Sequence, residues 1–341
     1  EVAALREISV NSMVKQGGYS LVCTNKGLFM LNTQTLQAEG PVNAQLDGKS
    51  QPVDYVRRSF SASNGITWFT SDTRKIYTSD ALKERFRHAP IDLMEPMKIP
   101  AAFCELFEYS PGVLLIPRAE GASLFDIYTG KITPFPYKPP YNRQGWDKGV
   151  VCFLEEADGM LWIGTVGGLF LLDKNRGRFE PLERQFKAME QLQGISIRKI
   201  HRDRKGNLWL ATWDDGLFKI NLRAQTIRQY NNSIAHKTAY ISGSRSILET
   251  RNGDLWFGTR GGLLRYLEDR DSFLIYRNIP NDSTSMSENT AFCLYEDAEG
   301  NIWSGSYGGG LNHLDVKTGK FKHYTTDDGL LNNNVFSLIP D

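Results

Sequence analysis

Histidine and cysteine are scarce in this chain of 341 residues, and charge of one sign and long apolar runs are missing altogether. The five histidines, His88, His201, His236, His313 and His323, show no pairing with one another or with a cysteine at metal-ligand spacing, so no metal site is expected. The four cysteines, Cys23, Cys104, Cys152 and Cys293, all fall in predicted strands and read as small apolar core residues rather than as a disulfide framework. Their number leaves the compartment open. A net charge of +1 gives no single-sign field, which argues against nucleic acid and against direct contact with an anionic membrane. No apolar run approaches the ~18 residues that would span a bilayer, and no charged-then-apolar signal segment opens the chain. The chain is expected to be a piece of a longer protein.

What the sequence does contain is a repeat. Trp162, Trp209, Trp256 and Trp303 are spaced 47 residues apart, and two steps upstream of Trp162 fall on Trp68. Each tryptophan sits in a Gly-x-Leu-Trp-like unit: Gly159-Met160-Leu161-Trp162, Gly206-Asn207-Leu208-Trp209, Gly253-Asp254-Leu255-Trp256 and Gly300-Asn301-Ile302-Trp303. The skipped steps fall on Leu115 and Leu21, in strand-like surroundings, which makes seven units. A period of this length marks a solenoid or a propeller. Within a unit the pattern is four short strands separated by turn residues, as in Ala291-Phe292-Cys293-Leu294-Tyr295, Ile302-Trp303-Ser304, Leu311-Asn312-His313-Leu314-Asp315 and Lys320-Phe321-Lys322-His323-Tyr324. The expected fold is therefore all-β, a seven-bladed β-propeller of four-stranded antiparallel blades. Residues 1–329 would form the ring, with Trp68, Trp162, Trp209, Trp256 and Trp303 on second strands filling the gaps between blades. Residues 330–341 resemble the inner strand of the first blade and begin an eighth unit. They either latch the ring or lead to a further module.

Three stretches depart from the blade pattern. The stretch 81–86 reads as a short helical turn. Pro134, Pro136, Pro139 and Pro140 punctuate an irregular connection before the fourth blade, and Leu182, Phe186, Met189 and Leu192 recur at helical spacing, predicting a short amphipathic helix that covers core.

Each chemistry-bearing candidate has a structural alternative. Glu155, Glu156 and Asp158 look like a catalytic cluster, but Asp203 and Asp297 stand where Glu156 does, three residues before the repeated glycine. Capping of a tight turn explains a recurring acid better than catalysis does, so no catalytic residue is assigned. Gly167-Gly168, Gly261-Gly262 and Gly308-Gly309-Gly310 could suggest phosphate cradles. A phosphate loop opens a helix, however, and these open a strand, so no cofactor is expected.

The unit Leu-Trp-Ile-Gly-Thr, then Gly-Gly-Leu, then Leu-Asp followed by Phe and Tyr, resembles the two-component regulator propeller repeat, most fully from about Gly149 to Tyr324. The loops Asn281 to Asn289 and Tyr324 to Leu330 are similar to that family's inter-blade loops. The resemblance implies the periplasmic sensor region of a hybrid two-component histidine kinase, the extracytoplasmic part of an inner-membrane protein, of the kind Bacteroidetes use to detect glycans. It implies further propeller and sensor modules in the same chain, an oligosaccharide ligand and possible homodimerisation. The kinase and DNA-binding parts would lie elsewhere, so this stretch is not expected to be an enzyme. A protein-interaction scaffold and a propeller lyase or hydrolase are the alternative readings.

In a propeller the loops joining strands two and three, and those joining successive blades, emerge on one face, where ligands usually meet the ring. The residues expected there are Trp213, Asp214, Arg260 and Tyr307 at the second-to-third loops and Arg143, Trp146, Tyr240 and Asn289 between blades. Indoles stack on apolar sugar faces and the polar groups hydrogen-bond hydroxyls, so this set suits a saccharide.

Overall fold

Short apolar runs interrupted by glycine, asparagine and aspartate turns can bury their faces only by pairing with their chain neighbours, and they do so in seven sheets along the chain. The computed structural model describes residues 8, 10–16, 18–35, 37–46, 49–61, 66–71, 76–80, 85–89, 107–118, 121–126, 128–139, 149–231, 241, 243–330 and 332–338. Six sheets are blades of four antiparallel strands in sequence order. The fifth sheet is representative: Ile197–Arg202 is innermost, followed by Asn207–Thr212, Leu217–Asn221 and Thr226–Tyr230.

The second sheet corrects the expectation of seven four-stranded blades: the propeller has six such blades, and between the first two stands a mixed sheet of six strands. Val56–Ser61, Ile66–Ser71, Ile76–Asp80 and Arg85–Ala89 run antiparallel as a blade would. The hairpin Asn43–Leu46 and Lys49–Pro52 then adds to their outer edge, joined through a parallel pair at Arg87 and Gln45. The physical cause is local. Asp47-Gly48 is a two-residue hairpin signal between short extended runs, and the open edge of Arg85–Ala89 offers unpaired backbone groups for the hairpin to meet. The helical turn expected over 81–86 is also corrected at its end, where Arg85 and Phe86 belong to a strand; 81–84 lie outside the described residues.

Consecutive sheets are joined by apolar side chains that both contribute. Trp68 meets Phe125 of the third sheet edge-on at 5.2 Å, Trp162 packs with Ile197, Ile200 and Leu208 of the fifth, and Trp256 with Leu314 and Phe321 of the seventh. Trp209 lies 5.1 Å from Phe257 and 4.9 Å from Tyr266, both of the sixth sheet. All five tryptophans occupy second strands, and burying each contributes on the order of a few kcal/mol. Four are fully buried, while Trp303 is half-buried and stacks on His313 at 4.2 Å. The thiols of Cys23 and Cys152 are buried and that of Cys293, which donates to Val335 O, is half-buried; burial pushes the Cys23 thiol up to about 12. Cys104 lies outside the described residues.

The apolar set Leu182, Phe186, Met189 and Leu192 is buried against the interface of the fourth and fifth sheets. Its backbone is two 3-10 turns, Leu182–Arg184 and Lys187–Leu192, rather than one α-helix, because Phe186 between them is extended. Near the end of the described chain, Val335 N donates to Ser306 O at 2.9 Å and Gly310 N to Asn333 O at 2.8 Å. Val335 lies against Gly305 much as Ile197 lies against Gly164 and Ala291 against Gly258, the place where an inner strand approaches the preceding blade.

Candidate ligand-recognition site

Every second-to-third loop in the better-marked blades is closed by one side chain. Thr212 Oγ1 donates to Gly216 O at 2.7 Å and accepts from Asp215 N at 3.0 Å. Thr165 and Gly168, Thr259 and Gly262, and Ser306 and Gly310 repeat the clamp at 2.8–2.9 Å. The glycine is required, because at positive φ a Cβ on Gly216, Gly262 or Gly310 would collide with the carbonyl oxygen of Tyr230, Tyr276 or Tyr324. Between the clamp residues stand Val166, Trp213, Arg260 and Tyr307, one residue at the same place in four successive blades.

A second recurring position lies on the inner strands. The pairing of first with second strand skips a residue between Val150 and Cys152 and between Ile197 and Lys199, leaving Val151 and Arg198 as bulges. In the next two blades Arg245 N donates to Gly258 O at 3.0 Å and Phe292 N to Gly305 O at 2.8 Å at the corresponding point, one step outside the paired strand. A bulge re-aims the side chain it carries.

The two positions meet at Trp213. Its ring centroid lies 4.3 Å from the Arg260 guanidinium carbon, 4.5 Å from that of Arg198 and 5.0 Å from that of Arg245. Arg245 also lies 4.5 Å from the Phe292 ring, which touches Tyr307 and Phe336. Each cation–π contact is worth about 0.5–1 kcal/mol at an exposed rim. Against that, any two of the guanidiniums are within ~10 Å of each other and repel by roughly 0.4 kcal/mol or more in water. The Arg260 stem packs over Gly243, where a Cβ would collide with it, and Gly243 N donates to Trp213 O at 2.6 Å. Behind the loop tip, burial and then the adjacent Asp214 charge hold the Asp215 carboxyl above the usual carboxylate range.

Of the residues expected on this face, Trp213 and Arg260 are in contact, Asp214 is exposed beside them, and Tyr307, 59% exposed, joins the aromatic patch. Asn289 is brought to the same side but its Oδ1 accepts from Asn278 N at 2.9 Å, a strut of its own loop. Arg143, Trp146 and Tyr240 lie outside the described residues. Arg198, Arg245, Phe292 and Phe336 were not anticipated. The signal for the two arginines was present, since they stand 47 residues apart.

The opposite rim is occupied by the recurring acids. Asp203 Oδ1 accepts from Asn207 N at 2.7 Å and its Oδ2 takes the Trp209 indole N–H at 2.8 Å; Asp297 does the same for Asn301 and Trp303. Glu156 receives the Trp162 indole N–H and pairs with Arg202, Glu155 pairs with Lys174, and Asp158 accepts from Met160 N. The turns also grip one another: Arg204 N donates to Glu249 and Arg251 N to Glu296 one blade on. Among the described residues no group of three or more His, Cys, Asp and Glu could hold a metal ion.

The sequence pattern of the family described as two component regulator propeller matches residues 191–214, 241–261 and 285–308. Each stretch runs from the approach to an inner strand to its second-to-third loop, and together they hold Arg198, Trp213, Arg245, Arg260, Phe292 and Tyr307. No curated protein matches. Among solved structures the chain is similar to the extracellular domain of the putative hybrid two component system BT3049 from B. thetaiotaomicron, with 20% identity, a TM-score of 0.50, and coverage of 92% of this chain and 46% of that one. It is similar also to the computationally designed Ika8 protein, with 12% identity, a TM-score of 0.60, and coverage of 96% and 89%. The WD40 β-propeller domain of Doa1 gives 12%, 0.53, 94% and 95%. At these identities the likeness is one of fold, and the chain spans about half the length of the two-component relative, 46%. Over residues 191–214, 241–261 and 285–308, in three successive blades, the chain carries the pattern of the two-component regulator propeller repeat.

Proposed function

We propose that this chain is the ligand-recognising propeller of an extracytoplasmic sensor region in a two-component signalling protein, and that it responds to a glycan-derived signal. The repeat supports the family, and the relative from B. thetaiotaomicron is itself named an extracellular domain. No helix among the described residues is long and apolar enough to cross a membrane. A periplasmic setting, an inner-membrane anchor, a kinase and further sensor modules in the longer protein are part of this proposal, as is pairing with a second copy. In this reading the module binds and does not turn over what it binds.

The observation that carries the proposal is the second-to-third loop face, where Arg260 lies on Trp213 and Arg198 and Arg245 close around the same ring. Aromatic faces and a fan of donors are what a saccharide ring and its hydroxyls need. Calorimetry with a panel of plant and host oligosaccharides, on the chain and on Trp213→Ala and Arg260→Ala variants, tests it. Each variant should weaken binding of the active saccharide by more than ~1 kcal/mol with the fold intact. Unchanged binding in both variants would remove this face as the sensing surface.

A further inference from the structure

The outer strand of a propeller blade has no neighbour on its far side, and an open edge is a template for any other strand. Most outer strands of this chain are defended. Thr226–Tyr230 carries Arg228, Lys320–Tyr324 carries Lys320 and Lys322, and Arg178–Glu180 is charged at both ends. Ile132–Pro134 ends in proline, Ala38–Glu39 is two residues long, and Arg85–Ala89 is covered by the hairpin of Asn43–Leu46 and Lys49–Pro52. Charge, proline, brevity and cover are the ordinary ways of blunting an edge.

Ser272–Tyr276, the outer strand of the sixth sheet, has none of them. Its five residues are serine, phenylalanine, leucine, isoleucine and tyrosine, an uncharged run rich in strand formers. Among the described residues no strand lies beyond it and no further backbone hydrogen bond reaches it. Its middle residue, Leu274, is 41% exposed, and Leu274 and Ile279 are the only large aliphatic side chains exposed among the described residues. The second sheet shows that the outer edge of a blade in this fold can take another strand, since Asn43–Leu46 pairs with Arg85–Ala89.

The strand also matches itself. Laid antiparallel against a second copy about a twofold axis at Leu274, it sets Ser272 opposite Tyr276 and Phe273 opposite Ile275, so every residue of the strand has a counterpart. In that register Asp271 falls opposite Arg277 of the second copy, once at each end, and opposite charges directly across strands attract. Arg277 has its Nε buried without a hydrogen-bond partner, and the Asp271 side chain, although Arg228 pairs with it at 2.6 Å, is still 34% exposed.

We propose that Ser272–Tyr276 is a self-pairing edge, through which two copies of this chain join antiparallel about a twofold axis at Leu274. This rests on the part of the proposed function that pairs the chain with a second copy, to which it gives a place, and not on what the recognition face binds. Five residue pairs make a small contact beside the ~1,200–2,000 Å² that stable complexes bury, so the pair is a weak one.

Sedimentation equilibrium from about 0.01 to 1 mM, together with disulfide trapping, tests it. The average mass should climb from the single-chain value toward twice that value. Leu274→Lys, at an exposed position, gives this edge the defence the others have and should hold the mass at the single-chain value with the melting temperature unchanged. In Leu274→Cys the two thiols would face each other with Cα atoms about 4.5–5.5 Å apart, within disulfide reach, so mild oxidation should link the paired chains. Ser272→Cys would leave them roughly 14 Å apart, four residues out of register, and should link no more than the parent with its own cysteines does. Equal linkage at 272 and 274, or a pair that survives Leu274→Lys, would overturn the edge inference and leave pairing through another surface standing. A chain that stays single at every concentration and gains no linkage from Leu274→Cys would overturn the inference and count against pairing with a second copy as well. Growth beyond two chains would overturn it too, because a twofold edge is used up by one partner.

Discussion

Asp203 Oδ2 accepts the indole N–H of Trp209 at 2.8 Å, so the residue that caps this first turn also anchors the tryptophan that fills the gap to the next blade. Both side chains are buried, and Asp203 serves Asn207 N and Nδ2 as well. Replacing Asp203 with alanine would leave at least two buried donors without an acceptor and should cost roughly 2–4 kcal/mol of unfolding free energy. Urea denaturation measures this directly, and a loss below about 0.5 kcal/mol would mean the turn finds other partners.

Asp297 makes the equivalent contacts two blades further along, and its carboxyl is held below the usual range. Burial opposes this, but Asn301 N, the Trp303 indole and His313 all favour the charged form. A folded-state value below the unfolded ~3.9 means that Asp297 stabilises the fold above that unfolded value, and that the contribution fades as pH falls through the folded one. The difference in urea midpoint between the parent and Asp297→Asn should therefore be largest above about pH 4.5 and narrow toward pH 2. A difference independent of pH across that window would show that charge plays no part.

Gly262→Ala is expected to be among the most damaging single changes on the recognition face. The residue has φ 134° and any Cβ meets the Tyr276 carbonyl oxygen, a backbone atom that cannot swing away. A cost of roughly 2–4 kcal/mol is expected. Gly253→Ala is the control, also at positive φ but with open space around it, and should cost clearly less. Equal costs in the two variants would mean that the carbonyl can move aside.

The segment 332–338 closes hydrogen bonds with the loop of the last blade, through Asn333 O and Val335 N. Removing residues 332–341 should speed amide exchange at Gly310 by about tenfold or more, because its acceptor is Asn333 O. Exchange at the same rate would place that bond outside the stable part of the fold. A drop of the global melting temperature by several degrees would go further and mark the segment as a latch for the ring.

Much of this arrangement could be read from the sequence, and the parts that could not share a cause. The tryptophan phase located the second strands because a large buried side chain must recur wherever blades face each other. The acids at 156, 203 and 297 were legible as turn caps, although their second task, holding the indole, needs the distance across six residues of hairpin. Asp47-Gly48 was a plain hairpin signal that the 47-residue frame obscured, since a hairpin inserted between units keeps no phase with them. Arg198 and Arg245 share the 47-residue phase, but phase alone does not say that a bulge re-aims one residue of an inner strand. Bulges are a matter of strand register, which depends on the partner strand and leaves no mark in local composition.

The hydroxyl-to-glycine clamp has a consequence for how such a protein can change. Because Thr165, Thr212, Thr259 and Ser306 each fasten their loop to its own strand, the side chain held between the fastened points is not needed to close the loop. Val166, Trp213, Arg260 and Tyr307 then behave like tumblers in a lock, each free to be recut while the barrel stays the same. A descendant of this chain could exchange one recognition chemistry for another by single substitutions, one blade at a time, with each loop still closed by its own clamp.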